Sequence, residues 1–147
     1  LVIAIKRFAN GKILYPPSKL WPNNPSYGII VNRKFLSKEK EVVEKFLFLH
    51  EDATSFIRNK PRQAAKIISD YVGIIDEEFV LETLKISPKY CSLITDDYIS
   101  STIEFVKVLK KLGCINRELS YKEIFDTELI KRIHPKKDHY GDGISDF

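Results

Sequence analysis

The sequence predicts an α/β fold that is rich in helix and has few strands. Two short β-like stretches come early, at 12–16 and 26–32, and the helical period of apolar residues takes over after residue 33. The chain has 147 residues, 44% hydrophobic and 30% charged, which is an ordinary composition for a globular domain. A chain of this length is expected to bury a substantial core.

The N-terminal part of the chain predicts one helix and two strands. Residues 1–11 have the apolar spacing of a short helix that stops at a glycine, and a strand is the alternative. Segment 12–16 is β-like, and segment 26–32 is the clearest strand, in which Gly28 permits close approach of another backbone. Two strands make a poor sheet on their own, so we expect them to pair with strands outside this chain or with a second copy.

The rest of the chain predicts five or six helices. Residues 38–58 carry one apolar face, on which His50 lies. Asn59 has the residue type of an N-cap for the following helix. Further start and stop signals are Pro61 in a first turn, Gly73 after a helix end, Asp76 before 77–86, Thr95 or Asp96 at the next helix, Gly113 at its end, and a Ser120–Glu123 capping box before a last helix that stops short of Pro135.

The basic excess of the chain is small and dispersed. The net charge is +4, from 24 basic and 20 acidic residues. The densest basic cluster is RNKPR at 58–62, whereas nucleic-acid binding needs a concentrated basic surface. Solvated helix faces explain most of these charges, so we expect no nucleic-acid partner.

The cysteines and histidines form no recognisable metal or catalytic motif. Cys91 and Cys114 predict buried free thiols, and a disulfide in an oxidising compartment is the alternative. His50 is expected to be a hydrogen-bonded core histidine, since the sequence places no Ser or Cys partner beside any of the three histidines. We therefore predict no catalytic residues and no cofactor.

The C-terminal stretch contains residue types that bind metals. His134, Asp138 and His139 could hold a divalent cation together with Asp142 and Asp146. Their spacing matches no established metal loop, so a solvated terminal segment is the favoured interpretation and no metal is predicted.

The candidate ligand-binding residues lie in WPNNPSY, before the second predicted strand. They are Trp21, Asn23, Asn24, Ser26 and Tyr27. Aromatic rings with a few convergent polar groups are typical of small-molecule sites. Turn chemistry alone is the alternative explanation for the Asn and Pro residues. Ser100, Ser101 and Thr102 lie near a predicted helix start that could meet an anion, although exposed helix positions explain them equally well.

The order of several stretches resembles one protein family. These stretches are PSYGIIVNRKFL, VVEKFL, FIRNKPRQAAKIISDYVG and LKKLGCI, and together they extend over most of 12–115. They resemble the C-terminal half of ABC-transporter substrate-binding proteins of the nitrate/sulfonate/taurine type, which are similar to the thiamine-pyrimidine-precursor binders. Lys60 between Asn59 and Pro61 departs from the family's Asn-Pro turn.

The resemblance implies a two-lobed periplasmic-binding-protein-like fold of type II, of which this chain would be the helix-rich C-terminal portion. Residues 1–25 would end the second lobe, and residues 26–147 would supply the crossing strand and C-terminal helices of the first. It implies a non-enzymatic component that captures a small polar or anionic solute by lobe closure and delivers it to an ABC permease. An extracytoplasmic, membrane-associated location follows, in the periplasm or at the cell surface.

Other interpretations stay open at this point. Pyrimidine-precursor enzymes share the implied fold, and a helical interaction module is a third possibility. A homo-oligomer is plausible where strand edges are unpaired. The sequence contains no Met, so we expect it to be part of a longer precursor whose export signal would precede Leu1.

Overall fold

A computed structural model describes residues 1–15, 17–21, 23–25, 27–86, 91–134, 137 and 139, with only the backbone given for residues 17 and 18. Over these ranges helices are the only regular elements, so the α/β prediction is wrong for the part of the chain that the structure describes. Residues 12–15 and 27–32 form no strand, because neither stretch has a neighbouring segment with which to exchange backbone hydrogen bonds.

The helices in the described ranges are short or of medium length. They are α1 (Val2–Ala9), α2 (Pro17–Leu20), α3 (Arg33–Lys38), α4 (Lys40–Asn59), α5 (Pro61–Val72), α6 (Glu77–Ile86), α7 (Asp96–Lys111), α8 (Tyr121–Ile124) and α9 (Glu128–Ile133).

The chain divides into two compact units. The first unit contains the described residues of 1–14 and 46–92, which are 1–14, 46–86, 91 and 92, together with Lys137 and His139. The second unit contains the described residues of 15–45 and 93–134. The lobe boundary implied by the resemblance, between residues 25 and 26, stays a prediction.

The core of the first unit lies between α5 and α6. Ala65, Val80, Leu81 and Leu84 are buried there, with Ile57, Ile68 and Ile75 packed around them. The small side chain of Ala65, which is completely buried, lets the two helices approach closely.

The turn between α5 and α6 is fixed by local chemistry that the sequence predicts. Gly73 ends α5 in the left-handed region, at φ 74°, as expected for a glycine after a helix. The Ser69 hydroxyl donates to the Ile75 carbonyl over 2.7 Å, and Asp76 Oδ1 accepts from the Phe79 N–H over 2.7 Å. Asp76 therefore caps α6 as predicted.

Helix α1 contacts the start of α6 in the same unit. The Arg7 guanidinium donates to both carboxylate oxygens of Asp76, at 2.8 and 2.7 Å. The rings of Phe8 and Phe79 stack at 6.3 Å. Two hydrogen bonds lower the pKa of Asp76. The larger effect comes from the Arg7 guanidinium, and the smaller from the Phe79 N–H.

Ionic contacts connect distant parts of the chain within the second unit. Lys40 pairs with Glu128 over 2.9 Å, and Arg132 pairs with Glu44 over 2.9 Å. The Arg33 guanidinium donates to the Glu123 carbonyl over 2.7 Å. The buried apolar residues of this unit are Val43, Val106, Leu129 and Ile130.

Several predicted helix ends are confirmed, and the one predicted at Asn59 is wrong. Thr95 caps α7 by accepting from the Tyr98 N–H, and the Ser120–Glu123 capping box forms. Asn59 is the last residue of α4 rather than an N-cap, and its side chain donates to the Ser55 hydroxyl.

The predicted last helix is interrupted between α8 and α9. Phe125 turns the backbone to an extended conformation at φ −109°, ψ 137°. The Glu128 N–H then bonds to the Asp126 carboxylate over 3.2 Å, which starts a new helix.

Many large apolar side chains remain exposed among the described residues. Their number exceeds that of the buried apolar residues, and they include Phe8, Leu14, Ile30, Tyr71 and Ile74. Cys91 and Cys114 are not joined in a disulfide; Cys91 is half-buried, and Cys114 is exposed rather than buried. Within the described ranges, every helix is too short or too polar to cross a bilayer.

Candidate functional site

Trp21 is held against α7 in the second unit. Its indole Nε1–H donates to Ser101 Oγ over 2.7 Å. The indole also meets the ring of Phe105 edge-on, with centroids 5.4 Å apart and planes at 88°. Trp21 is half-buried by these contacts. Its ring therefore attaches the loop to α7, and only part of it is accessible to a ligand.

Tyr27 is fixed to the same helix through its backbone and not through its ring. The Tyr98 hydroxyl donates to the Tyr27 carbonyl over 2.6 Å. Burial raises the pKa of the Tyr98 hydroxyl, so this donor stays protonated to a higher pH than an ordinary tyrosine. The Tyr27 side chain is 74% exposed and therefore accessible to a ligand.

Two residues between these anchors, Asn23 and Asn24, have polar and accessible side chains. Asn23 and Asn24 are exposed, and Asn23 has a positive φ of 55°. Asn tolerates this left-handed conformation better than most residues, so turn chemistry accounts for Asn23. Ser26, the remaining predicted ligand residue, lies outside the described residues, as does Pro22.

We call the described residues of 21–27 (Trp21, Asn23, Asn24, Pro25 and Tyr27) the polar loop. Because α7 holds both ends, the Asn23 and Asn24 amides and the Tyr27 ring are presented from one restrained segment. Amide groups offer donors and acceptors, and the ring offers an apolar face with a hydroxyl. This combination suits a small polar solute with one flat or apolar side.

The residues after the polar loop belong to no helix or strand, and the apolar side chains of Ile29 and Ile30 are exposed. Within the described chain, Gly28, Ile29, Ile30 and Val31 make no backbone hydrogen bond. Asn32 ends the segment by capping α3. Its side chain accepts hydrogen bonds from the backbone N–H groups of Lys34 and Phe35. The strand-like sequence therefore forms no strand in the described part of the chain.

A shallow groove of about 450 Å³ lies along α3 and the start of α4, and no motif in the sequence predicts it. Its lining residues are Lys34, Phe35, Lys38, Glu39 and Val42. None of the predicted ligand residues lines it, so the groove and the polar loop are separate features of the second unit.

The first unit contains a polar cluster that sequence reasoning missed. His50 Nδ1 lies 2.6 Å from Ser92 Oγ, and the Ser92 N–H donates to Glu51 Oε2 over 3.3 Å. Arg58 pairs with Glu51 over 3.2 Å, with both side chains largely buried. A ring nitrogen of His139 lies within 4.8 Å of a Glu51 carboxylate oxygen.

This cluster gives His50 the hydroxyl partner that the sequence did not reveal. The hydrogen bond expected of His50 is present, although the residue is half-buried instead of part of a core. Ser92 lies 42 residues further along the chain, and no motif connects the two positions. The Glu51 carboxylate accepts hydrogen bonds from Arg58, from the Ser92 N–H and from the Thr54 hydroxyl. Its bond to the Ser92 N–H connects the segment at Ser92 to α4.

Most other candidate groups are engaged inside the protein. Ser101 binds Trp21, and Thr102 donates to the Tyr98 carbonyl over 2.7 Å, whereas Ser100 is exposed. In the basic cluster at 58–62, Arg58 pairs with Glu51, Lys60 lies 5.9 Å from the centre of the Phe56 ring, and Arg62 approaches Glu78 at 3.9 Å.

Of the five residues in the metal-binding alternative at the C-terminus, the structure describes only His134 and His139. His134 is buried and forms the C-cap of α9. Asp138, Asp142 and Asp146 lie outside the described residues.

Comparisons with known proteins add no relative. No protein-family model matches the chain, and no curated protein or solved structure matches it either. The resemblance to ABC-transporter substrate-binding proteins is therefore an interpretation of the sequence alone.

Proposed function

We propose that this chain is a solute-binding component of an ABC importer and that its polar loop contributes to capture of a small polar or anionic solute. The observation that carries the proposal is the restrained presentation of Asn23, Asn24 and the Tyr27 ring by α7. The partner that receives the solute would be an ABC permease, and the protein would work outside the cytoplasm. Lobe closure stays a prediction of the resemblance.

The resemblance supports the proposal through its helices. Helices α4, α5 and α7 lie where the family-like stretches occur in the sequence. The Pro61 start and Gly73 end of α5 belong to the most telling of those stretches. The α/β fold that the resemblance also implies is wrong for the described residues, so the proposal rests on the polar loop and on the helical stretches alone.

The anchoring of the polar loop gives the proposal a physical basis. A loop that is already ordered loses less conformational entropy when a ligand binds, so more of the contact energy becomes affinity. The Trp21–Ser101 bond and the Tyr98–Tyr27 bond order both ends of this loop before any ligand arrives. Neutral amide donors can then bind a carboxylate, sulfonate or nitrate oxygen.

The direct test is a binding titration that uses Trp21, the single tryptophan of the chain, as its reporter. Nitrate, taurine, an alkanesulfonate and a pyrimidine precursor would each be titrated while Trp21 emission is recorded, with calorimetry in parallel. We expect saturable binding of at least one solute with a change in Trp21 emission. No saturable signal with any of the four would contradict the proposal.

A matched pair of tyrosine variants locates the site. Tyr27→Ala removes the exposed ring of the polar loop, and Tyr71→Ala removes a ring that is 92% exposed on α5 in the first unit. We expect Tyr27→Ala to weaken binding at least tenfold and Tyr71→Ala to leave it unchanged. Equal effects of the two variants would exclude the polar loop as the binding site.

The second candidate is an enzyme, and the 2.6 Å contact between His50 Nδ1 and Ser92 Oγ favours it. A histidine can activate a serine hydroxyl for attack on an acyl group. In this role Ser92 would react with a fluorophosphonate probe, and His50→Ala would abolish the labelling. We favour the solute-binding role because the remaining groups of the cluster bind one another, and we expect no labelling of Ser92.

A further inference from the structure

The groove along α3 and the start of α4 has an apolar floor. Phe35 of α3 and Val42 of α4 form this floor, and they are 45% and 51% exposed. The groove lies where Glu39 interrupts the helical backbone, at φ −121° and ψ 41°, so that α3 ends and α4 begins on either side of it. Its volume of about 450 Å³ falls within the range of small-molecule sites, about 300 to 1,000 Å³.

Two lysines line the same groove. Lys34 and Lys38 are four residues apart on α3, and this spacing places them on one face of the helix. Over the described residues neither ammonium group forms an ion pair, whereas Lys40 in the same unit pairs with Glu128. Like charges at this spacing repel each other, so an anion bound between them relieves an unfavourable interaction.

The charges of α3 also break a local rule of helix formation. Its sequence RKFLSK contains three cations and no acid, and Arg33 and Lys34 both lie in its first turn. The helix dipole disfavours cations at that end. Arg33 is used within the protein, where it donates to the Glu123 carbonyl over 2.7 Å. The Lys34 side chain has no such contact among the described residues, and residues that break a local rule without a structural gain are commonly functional.

We propose that the groove binds an amphiphilic anion, an alkyl carboxylate whose chain lies on Phe35 and Val42 and whose headgroup is held between Lys34 and Lys38. The apolar floor favours an alkyl chain, because the chain then leaves water. The two ammonium groups favour a headgroup of opposite charge. The groove is separate from the polar loop, and the inference does not depend on the solute-binding proposal.

Glu39 opposes the binding of an anion and makes the proposal sharper. Its side chain lines the groove and forms no ion pair within the described part of the chain. Two lysines against one glutamate leave a single net positive charge in the lining. The Glu39 carbonyl, which accepts from the N–H groups of Val42 and Val43, stays in place when the side chain is changed. Removal of the carboxylate charge is therefore expected to strengthen binding.

An NMR titration of the ¹⁵N-labelled chain tests the ligand class. Hexanoate, octanoate and decanoate would be added below the concentrations at which they form micelles, with octylammonium as the probe of inverted charge. We expect saturable amide shifts centred on residues 33–43 and an affinity that rises about two- to fourfold per methylene, as chain burial requires. Octylammonium should bind at least fivefold more weakly than octanoate. Absence of saturable shifts in the groove, or equal binding of octylammonium and octanoate, would overturn the proposal.

Matched charge variants identify the groups that bind. Lys38→Gln is compared with Lys111→Gln, an exposed position at the end of α7 that does not line the groove. Glu39→Gln is compared with Glu41→Gln, an exposed position in the first turn of α4. We expect Lys38→Gln to weaken decanoate binding at least fivefold, Glu39→Gln to strengthen it at least twofold, and both controls to leave it unchanged. A gain of affinity does not arise from misfolding, and equal effects of a variant and its control would overturn the proposal.

Two further titrations distinguish other occupants of the groove. Phosphatidylglycerol vesicles and increasing protein concentration would each be tested for shifts of the same amides. Shifts with vesicles but not with free decanoate would assign the groove to a membrane surface, and shifts with protein concentration alone would assign it to a second copy. Either result would overturn the proposal. Tyr27→Ala should leave decanoate binding unchanged, so that failure of this site and failure of the polar loop are measured separately.

Discussion

The indole of Trp21 and the hydroxyl of Ser101 form a hydrogen bond of 2.7 Å across 80 residues of sequence. The bond joins the polar loop to α7 within the second unit. It makes Trp21 part of the framework of the loop, whereas Asn23, Asn24 and the Tyr27 ring stay accessible. Solute binding at the polar loop depends on both groups: the residues bonded to α7 hold the loop, and the accessible residues contact the solute.

Ser101→Ala tests the anchor. The variant leaves the half-buried Trp21 N–H without its Ser101 partner, and a lost hydrogen bond of this kind costs about 1 kcal/mol. We expect the free energy of unfolding in urea, followed by Trp21 emission, to fall by about that amount. Ser100→Ala, at an exposed neighbouring position of α7, is the control. Equal stability of the two variants would show that the bond does not hold the loop.

The Glu123 carboxylate predicts an acid-dependent loss of stability. The Arg117 hydrogen bond, with donors from the Ser120 N–H and hydroxyl, lowers the pKa of Glu123 from 4.5 to about 2. Because its pKa in the folded state is depressed, the stabilisation by Glu123 is present above its ordinary pKa and is lost as pH falls from about 4.5 to about 2.

Glu123→Gln is therefore expected to remove part of the decrease in unfolding temperature over that pH range. Glu41→Gln, an exposed change in the first turn of α4, is the control and should leave the decrease intact. A carboxyl titration by NMR would give the Glu123 pKa directly. A value near 4.5 would contradict the ion-paired cap.

Leu81→Ala tests the core of the first unit. Leu81 is buried between α5 and α6, so its truncation loses apolar burial and leaves a cavity. Such changes cost about 2 to 5 kcal/mol. Leu49→Ala, at an exposed position of α4 in the same unit, should cost less than about 0.5 kcal/mol. Similar losses in both variants would mean that the α5–α6 contact is not the core.

Local chemistry made several helix boundaries predictable from the sequence. Thr95, the Ser120–Glu123 box, Pro61 and Gly73 act within one turn of their own positions, and all of them are confirmed. The N-cap prediction for Asn59 is wrong because α4 ends at this residue and α5 begins only two residues later. The Asn59 side chain donates to Ser55 in the last turns of α4 instead of capping α5.

Features that depend on distant partners could not be predicted in the same way. The strand prediction at 26–32 is wrong for residues 27–32, because a strand also needs a neighbouring segment and no residue pattern supplies one. The Ser92–His50 contact and the Trp21–Ser101 bond join residues 42 and 80 positions apart. Within the polar loop, the sequence indicated the residue types and the structure distinguishes anchors from accessible groups.

The most direct measurement of the central claim is the Trp21 emission titration with nitrate, taurine, an alkanesulfonate and a pyrimidine precursor, repeated for Tyr27→Ala and Tyr71→Ala. Solute capture at the polar loop predicts saturable binding that Tyr27→Ala weakens at least tenfold and Tyr71→Ala leaves intact. Absence of saturable binding in the wild type, or binding that is indifferent to Tyr27→Ala, would contradict it.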